Sequence, residues 1–313
     1  MNRRHGLVNA AVAVLALYWV FARTEWPETW QSLTNSNYWW FLSGFGLFYL
    51  TLPLRALRWR VLLANVGVEI PLTTLSSVIF RAWTINAVLP GRAGDLYSAY
   101  ALKTERGLDP AVTLGTVFCA RVLDLLTLVV LVTAVYLLGF RHTLPGSFGQ
   151  LVGVAIGLGL LLVLIVVVLA RWPQVAGRLI PSRLRSAFTR FSGAALGSFR
   201  KGPLLLGITI MLWGLEAVRL WCVMAAVGAM LPFAQVVFLA LAAAILSTLP
   251  LSPGGLGTIE VLYRQFLPYV GVAPALAGGI TILDRIINYW FILVAGGLYF
   301  LWLRGPIHKG RQE

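Results

Sequence analysis

Apolar positions run in long unbroken blocks along this chain, separated by short polar or basic stretches. The blocks fall at roughly 7–22, 38–57, 72–89, 111–140, 150–170, 203–229, 232–250, 256–270 and 274–302. Blocks of this kind read as membrane helices rather than as amphipathic surface helices or alternating strands. A full crossing needs about 20 residues, with roughly 17 as a working minimum. Segments 38–57, 111–140, 150–170, 203–229 and 274–302 qualify comfortably, and 7–22 is borderline. The stretch after 72–89 is different: only about 93–102 follows before Lys103-Thr104-Glu105-Arg106, which is too short to return across a bilayer. A re-entrant hairpin fits this length, and 232–250 with 256–270 make a second one. The expected fold is an all-α polytopic membrane protein of about six transmembrane helices plus two re-entrant hairpins, forming a single integral domain over 1–313.

Composition supports that reading. Of 313 residues, 59% are hydrophobic and 12% charged, and the mean hydropathy is +0.82, far from the roughly one-quarter charged content of soluble domains. The net charge of +14 raises nucleic acid as a partner, but the surplus sits in short loops between apolar runs, as the positive-inside rule requires. No nucleic-acid partner is expected. With the N-terminus inside, the cytoplasmic pieces hold Arg3 and Arg4, then Arg55, Arg58 and Arg60, then Lys103 and Arg106. They also hold Arg171, Arg178, Arg183, Arg185, Arg190, Arg200 and Lys201, and finally Arg304, Lys309 and Arg311. The opposite side keeps Arg23 and Arg141, with Arg264 near its surface. The expectation is a cell (inner) membrane protein with both termini cytoplasmic. Residues 7–22 after Arg3, Arg4 and His5 resemble a signal-peptide core, but no small-residue cleavage site follows, so an uncleaved first helix is expected.

The polar breaks carry the candidate chemistry. Asn86-Ala87-Val88-Leu89-Pro90-Gly91-Arg92-Ala93-Gly94-Asp95 and Leu249-Pro250-Leu251-Ser252-Pro253-Gly254-Gly255-Leu256-Gly257-Thr258-Ile259-Glu260 each interrupt an apolar block. Broken backbone at membrane depth is tolerated only where it is buried in protein or lines a polar cavity. Pro90, Gly91, Gly94, Pro253, Gly254, Gly255 and Gly257 are therefore the expected helix-break positions. Each break is followed by an acid and then by a long apolar segment with an Arg and an Asp: Arg121-Val122-Leu123-Asp124 and Leu283-Asp284-Arg285. The two halves, about 38–140 and 203–303, thus read as a repeat. Because the hairpins enter from opposite faces, the repeat is inverted, the architecture of alternating access around a central site.

Ionisable groups inside spans cost roughly 2.5–3.5 kcal/mol each on insertion scales and tend to be paired and functional. Arg81, Arg92, Arg121, Arg219 and Arg285 stand out as basic, and Asp95, Asp124, Glu216, Glu260 and Asp284 as acidic. Arg121 with Asp124, and Glu216 with Arg219, share helix faces and read either as self-contained ion pairs or as site residues. Arg92 precedes a helix expected to begin about Ala93, where free N–H groups plus a guanidinium suit a phosphate. Glu260 either caps its helix or pairs with an Arg across an interface. The expected headgroup cavity comprises Arg92, Asp95, Arg121, Asp124, Glu216, Arg219, Glu260, Asp284 and Arg285. Cys119 and Cys222 lie in apolar segments, and the three histidines (His5, His142, His308) form no constellation. No disulfide framework, metal, cofactor or catalytic set is expected. Segment 171–201, with Arg183, Arg185 and Arg190 among Leu184, Phe188 and Phe191, reads as a basic interfacial helix on anionic headgroups and offers a face to a soluble enzyme partner. Gly153 and Gly157 form a G-x-x-x-G pattern suited to close helix packing or a homodimer contact. Trp26, Trp30, Trp39 and Trp40 read as interface anchors.

The motifs N-x-x-x-P-G-R-x-G-D (Asn86 to Asp95), Arg121-x-x-Asp124 and Ser252-Pro253-Gly254-Gly255-x-Gly257-x-x-Glu260 resemble the flippase-like integral membrane family that forms the membrane half of lysylphosphatidylglycerol synthases. Arg58-Trp59 is similar to the family's Arg-Trp before the first hairpin. The resemblance covers about residues 7–303. It implies a lipid-translocating domain with its broken hairpins around a headgroup site, to which Arg92, Asp95, Arg121, Asp124, Pro253, Gly254, Gly255 and Glu260 match. The synthases continue into a soluble aminoacyl-transfer domain, whereas this sequence stops at Glu313, so enzymatic activity is not carried over. The expected cargo is an anionic phospholipid or a polyprenyl-phosphate-linked lipid. A membrane enzyme acting on lipid phosphates, and a non-transporting scaffold for an envelope-modifying enzyme, are the alternatives.

Overall fold

The computed structural model describes residues 26–89, 91–140, 146–172, 180–248 and 252–304. The expected first span at 7–22, both chain ends, Pro90 and the stretch 249–251 lie outside these residues. Among them the secondary structure is helical: α1 (Trp26–Thr34), α2 (Tyr38–Ala64), α3 (Leu72–Val88), α4 (Ala93–Arg106), α5 (Pro110–Val135), α6 (Gly146–Arg171), α7 (Arg185–Gly197), α8 (Gly202–Ala226), α9 (Phe233–Thr248), α10 (Thr258–Tyr269), α11 (Pro274–Arg285) and α12 (Phe291–Arg304). Wide π turns at Tyr136–Phe140 and Ile286–Trp290 end α5 and join α11 to α12. Among the described residues five stretches are long and apolar enough to cross a membrane: Tyr38–Ala64, Pro110–Gly139, Gly146–Arg171, Ser182–Ala226 and Pro274–Leu303. Each overlaps one of the five long blocks of the sequence, with Ser182–Ala226 starting well before its block at 203–229, and the protein is a multi-pass α-helical membrane protein.

Local signals explain the boundaries. The Asn37 side chain accepts from the Trp39 amide at 3.0 Å to start α2. Asp109 accepts from the Ala111 amide at 2.8 Å, with Pro110 as the first residue of α5. These are the oxygen-bearing cap and N1 proline that a helix start favours. Gly107, at φ 66°, ends α4 in the left-handed conformation that glycine adopts without strain.

Two short helix pairs sit between the long helices. α3 and α4 pack on one another across the break at Gly91-Arg92, and α9 and α10 do so across the turn Pro253–Gly255. With 17, 14, 16 and 12 residues, each of these helices falls short of the roughly 20 residues of a full crossing. The second break lies against the helix that leads into the first. The Pro253–Gly255 turn packs against α3, and the Tyr289 hydroxyl, on the second π turn, donates to the Ala87 carbonyl at 3.1 Å. The axis of the fold is the pair α2 and α8, which contact each other more widely than any other two helices. α2 also carries α3 and α5, while α8 carries α9 and α11.

α7 packs along the first half of α5, where Gly115 lies against the Phe191 carbonyl and Ala194. Arg190 reaches Asp109 at 2.5 Å. Ser192, Ala194 and Ala195 are buried, while Arg183 and Arg185 face outward. This helix is therefore docked on protein along one face. Among the described residues nothing lies within 4 Å of a Cβ added at Gly153 or Gly157, so neither makes a close helix contact with them. Gly159 does, against Val129.

Candidate functional site

Two nested sets of ion pairs occupy the centre, one in each half. In the first half, α2 presents Arg55 and Arg58 one turn apart, α5 presents Arg121 and Asp124 one turn apart, and the first turn of α4 presents Asp95. Arg58 is 4% exposed and grips Asp124 with both terminal nitrogens, at 2.6 and 2.9 Å, while also donating to Thr209 of α8 at 3.0 Å. Arg121 forks onto Asp95 at 3.1 and 2.6 Å and stands 3.7 Å from Asp124. Fork-to-fork pairing is the arrangement by which a guanidinium and a carboxylate best offset each other's desolvation.

The second half repeats the scheme. Arg219 of α8 pairs with Asp284 of α11, which also accepts from Asn288 at 2.8 Å and Tyr263 at 3.3 Å. Arg285 pairs with Glu260, in the first turn of α10, at 2.8 Å and also caps the carbonyls of Gly254 and Gly255 at 3.2 and 3.0 Å. Glu260 thus serves as an ion-pair partner and not as a cap. The separations along the chain match: 66 residues from Arg58 to Asp124 against 65 from Arg219 to Asp284. From Asp95 to Arg121 there are 26, against 25 from Glu260 to Arg285.

The two halves differ in access. A small, partly open cleft lies in the first half, lined by Arg55, Arg58, Asn86, Asp95, Ser98 and Arg121 with Trp59 and Trp83 as apolar walls. Asn86 is fixed there because its side-chain oxygen accepts the Gly94 amide at 2.8 Å. Gly94 is required for this approach: a Cβ at this position would run into the Ala82 carbonyl. Arg121 keeps 37% of its side chain exposed to the opening. Arg92 stands at the mouth of α4 with φ 56° and ψ 41°, an unusual left-handed conformation for a side chain of this size, and has no ion-pair partner among the described residues. By contrast Arg219, Glu260, Asp284 and Arg285 are all buried at 5% exposure or less, and none of them lines this cleft. Gly257 borders a separate, largely apolar cleft between α6, α9 and α10.

Of the expected site residues, Asp95, Arg121 and Asp124 are brought together around the cleft, and Glu216 joins them through Arg55 at 3.3 Å. Arg219, Glu260, Asp284 and Arg285 form the second, closed set. Arg55 and Arg58 were expected in a cytoplasmic loop. They belong instead to the last turns of α2, which runs on to Ala64, and so they drop out of the count of loop charges. The sequence did hold a signal for them: Arg55 and Arg58 share the one-turn spacing of Glu216 and Arg219 on the corresponding helix of the other half.

Comparison with known proteins agrees with this architecture. Residues 6–296 match the family described as the lysylphosphatidylglycerol synthase TM region. A UPF0104 membrane protein of Methanocaldococcus jannaschii is 27% identical over 69% of this chain and 92% of its own length. One from Methanothermobacter thermautotrophicus is 23% identical over 94% of each chain. A protein named glycosyltransferase AglD, from Haloferax volcanii, is 26% identical over 80% of this chain but only 46% of its own length. With membrane-length helices, paired central arginines and a family match over nearly its whole length, the chain belongs to the lysylphosphatidylglycerol synthase TM region family.

Proposed function

We propose that this protein moves a phosphate-bearing lipid, a phospholipid or a polyprenyl-phosphate-linked one, between the leaflets of the cell membrane. The observation that carries the reading is the charge of the first-half cleft. Arg55, Arg58 and Arg121 line it with Asp95; Asp124 and Glu216 pair with these arginines; and Arg92 stands within electrostatic reach of Arg121 and Asp95 with no ion-pair partner among the described residues. The cations thus outnumber the acids within a fold of membrane-length helices. A cationic surplus of this kind calls for an anion, since uncompensated charge inside a membrane protein is costly. The headgroup occupies the cleft while its chains stay in the bilayer, and the guanidiniums replace the water around the phosphate.

The matched ion-pair sets and the meeting of the two hairpin tips support an inverted repeat with re-entrant hairpins. In that arrangement one half rocks against the other to switch access. Both termini lie on the cytoplasmic side in this reading, by the placement of the basic loops.

The test is leaflet exchange in proteoliposomes, with labelled phosphatidylglycerol and labelled polyprenyl phosphate in separate preparations. Wild type moves one of them, and Arg121→Ala slows that movement at least about tenfold, roughly 1.4 kcal/mol of barrier, in protein that still folds. No movement of either lipid by folded wild type refutes the transporter. The match to a protein named glycosyltransferase favours a second reading, a non-catalytic membrane partner of a lipid- or envelope-modifying enzyme. In that case reversing Arg183 and Arg185 on the outward face of α7 abolishes function in cells, and Arg121→Ala does not.

A further inference from the structure

The buried arginines of the core are not equally satisfied. Arg58 makes three hydrogen bonds, Arg121 is forked by Asp95, Arg219 holds two carboxylates and Arg285 holds Glu260 and two carbonyls. Arg55 makes one hydrogen bond to the described residues, to Glu216 at a long 3.3 Å. Its buried Nε–H has no partner. The guanidinium lies between the rings of Trp83 and Trp213, at 5.9 and 5.4 Å from their centroids, which fixes its position without consuming its N–H groups. It also lines the cleft. A guanidinium offers five donors in a planar fork suited to phosphate, and here one hydrogen bond, to Glu216, engages a side chain that borders the cleft.

We infer that Arg55 is the residue that takes the phosphate, and that it does so by exchanging its carboxylate partner, Glu216, for the phosphate oxygens. This rests on the reading of the cleft as a headgroup site. Glu216 is free to leave because Arg219 already holds its other oxygen at 2.9 Å, so no carboxylate is stranded. Arg58 and Arg121 are poor candidates for the same role, since each would have to abandon a two-point carboxylate partner.

The exchange has a structural consequence. Arg55 lies one turn before Arg58, and Glu216 lies one turn before Arg219. Arg58 and Arg219 hold equivalent places in the two halves by the matched spacings of their partners. Arg55 and Glu216 are therefore counterparts that meet across the α2–α8 contact. Among the described residues theirs is the one ion pair linking the half 38–140 to the half 203–303. The Arg55–Glu216 pair latches the halves, and a phosphate that takes Arg55 releases the latch along the surface on which they would slide.

The experiment measures binding of soluble dihexanoylphosphatidylglycerol and of inorganic phosphate to detergent-purified wild type, Glu216→Gln and Arg55→Gln, each checked for its melting profile. Glu216→Gln removes the competitor and tightens binding about tenfold, or about 1.4 kcal/mol; Arg55→Gln loses it. Arg55→Lys serves if the glutamine variant does not fold, and is expected to weaken binding by losing the two-point grip. Competition by inorganic phosphate identifies phosphate as the recognised group, and its absence assigns recognition to the whole lipid headgroup. Unchanged or weaker binding in Glu216→Gln overturns the exchange and leaves the pair a structural staple. Undiminished binding in Arg55→Gln overturns Arg55 as the seat, and binding of neither probe by folded wild type overturns both. Leaflet exchange in the same variants is read separately: the tenfold shift without lipid movement sinks the transport reading and leaves the exchange standing.

Discussion

Replacing Asp124 by Asn tests the core of the argument, because it removes a charge while keeping the shape. Arg58 is 4% exposed and Asp124 3%, and their two hydrogen bonds are short at 2.6 and 2.9 Å. Asn keeps one acceptor but not the charge, so Arg58 is left as a buried cation whose close partners, the amide oxygen and Thr209 at 3.0 Å, are both neutral. Arg121, 3.7 Å from Asp124 on the other side, loses part of its compensation too. Breaking a buried pair by removing one partner costs about 3–5 kcal/mol, whereas replacing both partners by apolar groups of similar volume is often close to neutral. The expected series is therefore Asp124→Asn down by about 3 kcal/mol or more, with the double variant Arg58→Met/Asp124→Leu recovering most of that loss. Reversible unfolding in mixed micelles, followed by circular dichroism, gives the differences. A single variant within about 1 kcal/mol of wild type, or a double variant as unstable as the single changes added together, would refute the view that desolvation of an unpaired charge dominates here.

Two further outcomes follow from the first hairpin. Gly94→Ala places a methyl group against the Ala82 carbonyl and 2.8 Å from the Asn86 side-chain oxygen; overpacking of this sort costs about 1–3 kcal/mol, and melting of the purified variant should show it. At Arg92, where φ is 56°, any residue with a Cβ carries left-handed strain of about 1–2 kcal/mol that glycine avoids. Arg92→Gly should therefore melt above Arg92→Ala by a measurable margin, while both lower lipid movement alike if the guanidinium serves the headgroup. Equal melting of the two would place the strain elsewhere.

The sequence by itself determined the long helices and the positions of their breaks. Whether a stretch can cross a membrane depends on a local sum, the length of an apolar run, and whether it must break depends on local backbone freedom at Gly91, Gly254 and their neighbours. That is why the five long spans and the start of α4 at Ala93 were readable before any coordinates. Which charge answers which is another matter. The spacing of Arg121 with Asp124 suggested a self-contained pair, yet Arg121 turns to Asp95 on α4 and Asp124 to Arg58 on α2. Glu260 had a cap or a distant arginine open to it, and takes Arg285. Arg55 and Arg58 looked like loop charges because the apolar run ends near residue 57, while the helix they belong to continues beyond it. Burial makes a partner obligatory for each of these groups, and the sequence conveys that obligation. It cannot convey the choice, because a long guanidinium side chain is satisfied by whichever carboxylate the packing of α2, α4, α5, α8 and α11 brings within about 3 Å.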